Sequence, residues 1–278
     1  MAASLSFFAR RRLGLILALV AAGLVAWGLH HLYGVLLRFT AITTGLVLLG
    51  TCFALAFFNA RKKLPFIPLL RASTWLQFHV YAGWFAVILF VLHIEGRWPA
   101  GIFEVTLAAV FALVALSGVF GILISRVLPG RLALSGENVM YERIPALRTK
   151  LQRDVEALVW KSVEETKSFT ISEFYTNRLK AYFDRPRHRY RHLLASKVPL
   201  QKLLSEVRLL ERYMVPAERL ILAEISECIA AKDNLDLQWA GQGLLKYWLF
   251  VHIPLTFSLL ILGLLHGLLA FSFAGGVR

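Results

Sequence analysis

Cysteine is almost missing from this chain, and acidic residues are scarce. Its 278 residues include two cysteines, Cys52 and Cys228. No CxxC occurs, which excludes a zinc ribbon or an iron–sulfur cluster built by this chain alone. No CxxCH occurs either, so covalent c-type haem attachment is not encoded. Cys52 falls in an apolar run and Cys228 in a polar region, so a disulfide between them is not expected. Asp and Glu number 17 against 31 Lys and Arg, a formal net charge of +14. A soluble protein this basic would raise nucleic acid as a partner, but no groove-reading motif is present, and nucleic acid is not expected. The polar region carries neither GxGxxG nor GxxxxGKS, which argues against a nucleotide-binding domain.

What the chain has in excess is apolar sequence. It is 58% hydrophobic with a mean hydropathy of +0.62, the composition of an integral membrane protein. Five runs are long and apolar enough to cross a bilayer as helices, at about 13–33, 40–59, 75–94, 102–125 and 247–273. Arg10–Arg12 precede the first, Arg61–Lys63 and Arg71 follow the second, and Arg126 and Arg131 follow the fourth. The other side carries Arg38, Arg97 and Arg278 in short connections. The positive-inside rule then puts the N-terminus in the cytoplasm and the C-terminus outside, as in a bacterial inner-membrane protein. The basic segments are expected to meet anionic lipid. The first run is too long for an ordinary signal-peptide core, so a retained helix is expected.

The expected architecture is an all-α membrane bundle of five spans, with a helical cytoplasmic insert between spans four and five. The divisions are 1–126 (helices one to four), 127–244 (insert) and 245–278 (helix five and a short outer tail). In the insert, Ile144, Leu147, Leu151, Val155, Leu158 and Val159 recur at helical spacing. Thr170, Pro199 and Pro216 precede further helical patterns. It reads as a docking module.

Four histidines stand inside two of the apolar runs. His79 and His93 are fourteen residues apart, and so are His252 and His266. On an α-helix that spacing is just under four turns, placing each pair on one face about 21 Å apart. Ionisable or ligating side chains inside membrane helices are costly and mark function. Spans three and five run parallel if successive spans alternate. His79 is then level with His252, and His93 with His266. Two stacked imidazole pairs form a holder for two haems, which are coordinatively saturated and move single electrons. Gly83 lies one turn after His79, and Gly263 and Gly267 flank His266. Gly118 and Gly121 on the fourth span have the same candidate role of giving a flat macrocycle room. Arg71, Arg97 and Lys246 lie near the interfaces at the levels of the histidines and are candidates to pair with haem propionates.

These four histidines resemble those of the di-haem b-type membrane cytochromes. The chain is similar to the cytochrome b core and to the transmembrane core of the ferric reductases and NADPH oxidases. The resemblance covers the membrane part and implies two haem b groups held by His79, His252, His93 and His266. Three departures accompany it. No PEWY-like quinol-oxidation segment occurs; a sixth span and a flavin and NADPH domain are missing; the insert fits neither pattern. The implied function is an electron-transfer subunit working with other redox subunits of an oxidoreductase complex. Two alternatives are a quinone-reactive oxidoreductase in its own right and a haem-free anchor for a soluble partner. His30 and His31, at the outer end of the first span, read as interfacial packing residues or as contacts for a quinone or a third haem. His188 and His192 sit one helical turn apart among Arg185, Arg187, Arg189 and Arg191, which favours a basic surface over a metal site.

The charge asymmetry predicts that Cys228 is labelled by membrane-impermeant thiol reagents from the cytoplasmic side. Labelling in intact spheroplasts from the outer side would contradict that topology.

Overall fold

Backbone N–H and C=O groups in hydrocarbon have no water to bond, so a spanning segment must satisfy them within itself, as a helix does. The structure, a computed structural model, describes residues 7–36, 40–57, 72–133, 139–185, 192–193 and 196–274. Every regular element among them is helical. Those that build the fold are α1 (Phe7–Leu36), α2 (Thr40–Ala56), α3 (Ala72–Ile94), α4 (Ile102–Ala133), α5 (Ile144–Thr166), α6 (Thr170–Phe174), α7 (Lys180–Asp184), α8 (Val198–Glu211) and α9 (Pro216–Ala274). A π-helical turn, Tyr175–Leu179, joins α6 to α7.

The helices α1, α3, α4 and α9 are long and apolar enough to cross a membrane. α2 is equally apolar but has 17 residues, or roughly 26 Å against roughly 30 Å of hydrocarbon. The end of its expected span, 58–59, lies outside the described residues, as do Arg71 and most of the 185–191 arginine run. One element is longer than its sequence suggests. α9 is a single helix of 59 residues, where a cytoplasmic helix and a separate final span are expected. No proline interrupts residues 231–247. Lys232 and Asp236, one turn apart, form an ion pair along the helix, which supports it through the polar stretch.

Contacts divide the chain into two units, Met1–Ile122 with Trp248–Arg278, and Leu123–Tyr247. In the first unit, α2 and α1 both pack on α3. Cys52, Ala86, Phe111, Leu259 and Leu260 form a core drawn from α2, α3, α4 and α9. Phe90 stacks on Phe111 with ring centres 4.3 Å apart. Large apolar side chains such as Leu24, Leu116 and Ile261 stay exposed on this unit, as a surface meeting lipid requires.

The second unit has its own core. Val155 and Val159 of α5 meet Ile171, Tyr175, Leu179, Tyr182 and Phe183, with Val207 of α8 and Ile221, Leu222, Ile225 and Ile229 of α9. Burying each Val or Ile contributes about 1.5–3 kcal/mol. Pro216 occupies the first turn of α9, and Glu218 accepts a hydrogen bond from the Val215 N–H at 3.1 Å, satisfying a donor the helix leaves open. Beside this core lies a buried charge cluster. The Lys232 ammonium, fully buried, pairs with Asp236, donates to the Arg185 carbonyl at 3.1 Å and sits 4.1 Å from the centre of the Tyr182 ring. Asp236 also takes Arg148 at 3.2 Å. Burial pushes the Lys232 ammonium below its ordinary range, and Asp236 works against that shift.

Burial, and then the Asp233 and Asp236 carboxylates, hold the Tyr182 phenol well above its ordinary range. A group whose native pKa exceeds its unfolded value, about 10 for tyrosine, gives its full stabilisation below that pH. The contribution is lost as pH rises through the native value. Tyr182→Phe is therefore expected to flatten the alkaline side of the stability profile. Denaturant unfolding followed between neutral and strongly alkaline pH checks this; identical profiles for the two proteins would contradict it.

Candidate functional site

The four histidines of the apolar runs come together in the first unit, two from α3 and two from α9. The rings of His93 and His266 have centres 6.2 Å apart and stand nearly perpendicular, at 86°. His79 and His252 lie within range of each other's charge. α3 and α9 therefore run parallel, and the pairs are His79 with His252 and His93 with His266.

α2 backs both histidines of α3. The Leu55 backbone lies beside His79, and the Ala41 backbone beside His93. Leu55 and Ala41 are themselves fourteen residues apart, so α2 repeats the spacing of the helix it supports. Thr44 adds a second contact, its Oγ1 lying 3.4 Å from His93 Nδ1. Gly45 lets the ring come this close: a Cβ there would stand 2.9 Å from His93 Cε1. α4 backs His252. Ser117 Oγ lies 2.6 Å from His252 Nδ1, and Trp248 stacks on the His252 ring at 5.3 Å. Trp248 is fixed in turn by its Nε1–H, which donates to the Ser117 carbonyl at 2.8 Å. Gly121 leaves the space for that indole, since a Cβ would overlap it.

The two hydroxyls also bear on where the imidazole protons sit. Ser117 is 2.9 Å from the Val114 carbonyl and Thr44 is 3.2 Å from the Ala41 carbonyl. A hydroxyl has one proton. Given to the helix carbonyl, it leaves the oxygen to accept from Nδ1–H of the histidine. With the hydroxyl proton directed at the carbonyl, His252 and His93 would be in the tautomer whose Nε2 carries the free lone pair, the state a metal ligand needs.

His93 and His266 line an apolar cleft of about 200 Å³ with Gly45, Cys52, Phe90 and Phe111. Gly263 and Gly267 also line it. Gly83 faces open space, with nothing within 4 Å of where a Cβ would lie. Arg97 is exposed in the connection after α3. Lys246 belongs to the second unit, where it pairs with Glu142 at 3.0 Å and lies over the Tyr141 ring. His192 is buried beside Asp233, at 3.8 Å, and its expected companion His188 lies outside the described residues. Among the described residues no group of three or more His, Cys, Asp or Glu converges.

The chain matches no family model, no curated protein and no solved structure. The geometry of the histidine pairs therefore carries the functional reading.

Proposed function

We propose that this protein is a di-haem b-type cytochrome subunit that carries electrons between the two faces of a membrane within an oxidoreductase complex. The observation that carries the reading is the His93–His266 pair. Two metal–imidazole bonds of about 2 Å on opposite sides of one ion, with the ring radii added, put ring centres about 6 Å apart. The observed separation is 6.2 Å. Pairs of histidines suit an iron whose other four positions are filled by a macrocycle. The apolar cleft beside His93, opened by Gly45, fits a flat, greasy group. Trp75 lies one turn before His79 on the same face, and its buried Nε1–H has no acceptor among the described residues; it would be a donor for a carboxylate at the margin of that site. A haem so held supplies a one-electron couple tuned by its ligands and its burial. The protein's own part is to hold the imidazoles in the right tautomer and to keep water away.

In this reading five helices cross the bilayer, α2 among them, and the Leu123–Tyr247 unit faces the cytoplasm as the docking site for another redox subunit. Replacing His93 or His266 with Leu is expected to remove one low-spin haem, and His79 or His252 the other, in optical and EPR spectra of the purified chain. A chain with no haem spectrum, or single replacements that leave both centres intact, would refute the assignment.

A second reading is favoured by a separate cleft of about 310 Å³ between α1, α2 and α3. His30 lines it, and its buried Nδ1 has no hydrogen-bond partner among the described residues. Thr44, the residue that contacts His93, lines it too. An apolar cleft with a few polar groups next to a redox centre suits a lipid-soluble quinone. In that case a short-chain quinol reduces the haems of the purified protein, and His30→Leu slows that reduction at least tenfold with unchanged spectra. Equal rates in the two proteins would remove the quinone site from this cleft.

A further inference from the structure

Ser117 and Thr44 hold equivalent positions toward two of the four histidines, but their bonds are unequal. Each hydroxyl lies within hydrogen-bond reach of a carbonyl three residues earlier in its own helix and of Nδ1 of a histidine on another helix. The distance to Nδ1 is 2.6 Å at His252 and 3.4 Å at His93. The first is a short, strong hydrogen bond and the second is near the limit of one.

We propose that Ser117 and Thr44 are positioning residues that fix the ligating tautomer of His252 and His93, and that Ser117, through its shorter bond, holds the iron centre it serves at a lower potential than the centre would otherwise have. The proposal rests on the di-haem reading. An acceptor on Nδ1–H draws that proton outward and leaves more electron density on Nε2, making the imidazole a stronger donor. A stronger donor favours the more oxidised metal, so the midpoint falls. The effect grows as the hydrogen bond shortens. It is therefore large at Ser117 and small at Thr44.

A second feature of α4 makes the Ser117 bond rigid. The Trp248 indole donates to the Ser117 carbonyl at 2.8 Å and stacks on the His252 ring with 25° between planes. The His252 imidazole is thus held in its plane by Trp248 and in its tautomer by Ser117, both tied to one residue of α4.

The test is optical redox potentiometry on the full-length protein purified with its native cofactors. Four variants are compared with the parent: Ser117→Ala, Ser117→Thr, Thr44→Val and Thr44→Ser. Ser117→Ala is expected to raise one midpoint and leave the other in place, while Ser117→Thr, which keeps the hydroxyl, stays near the parent value. Thr44→Val raises the other midpoint by a smaller amount, and Thr44→Ser does not. If Ser117→Ala also sheds the haem, retention of both haems at parental midpoints in Ser117→Thr supports the role, and loss there too overturns it as mere packing. Unchanged midpoints in Ser117→Ala, equal shifts of both centres, or a larger shift from Thr44→Val than from Ser117→Ala also overturn the proposal. A parent protein without low-spin haem would defeat the di-haem reading itself, a result separate from all of these.

Discussion

An imidazole buried among apolar helices has two nitrogens to satisfy, and the packing of the first unit follows from that requirement. An unpaired polar atom in such a setting costs roughly 1–3 kcal/mol or more. α3 and α9 carry the four rings and cannot themselves serve every nitrogen. α2 and α4 flank two of them with hydroxyls: Thr44 beside His93 and Ser117 beside His252. The close approach of α2 at Gly45 and the notch at Gly121 are the steric counterpart of the same demand. Removing either small residue would push a ring away from its partner.

The second unit solves a comparable problem by other means. Its buried ammonium, Lys232, has a carboxylate, a backbone carbonyl and an aromatic face around it. Removing one member of a buried pair of this kind typically costs about 3–5 kcal/mol. The cluster pins the Arg185 carbonyl against α9, so the chain leaving α7 is anchored where the arginine-rich stretch begins.

Much of the first unit could be read before any coordinates, because the signal lay in spacing. Fourteen residues between histidines on two apolar runs is a pattern that helix geometry turns directly into faces and levels, and span alternation turns into pairings. The supporting residues were not legible. Thr51, Thr106 and Thr256 bond carbonyls of their own helices, as Thr44 and Ser117 do. Nothing in the local sequence separates the two hydroxyls that also reach a histidine ring from the three that do not. Lys246 lay in sequence at the level of a histidine, yet it is engaged with Glu142. The unbroken course of α9 was hidden as well. The charged and amide-rich residues 232–238 resemble a surface connection, whereas Lys232, Asp236 and Gln238 are buried.

The parallel pairing of α3 with α9 has a consequence for how such a chain can change in length. Each added residue turns the rest of a helix by about 100° and advances it by about 1.5 Å. One insertion between His79 and His93 would swing His93 away from His266 while leaving His79 opposite His252. The same insertion between His252 and His266 alone would fail in the same way. α2, which meets α3 at Leu55 and Ala41 with the same interval, would fall out of step as well. The intervals on three helices are thus locked to one another. Side chains along them are free to vary, but the number of residues between levels is fixed unless all three helices change together.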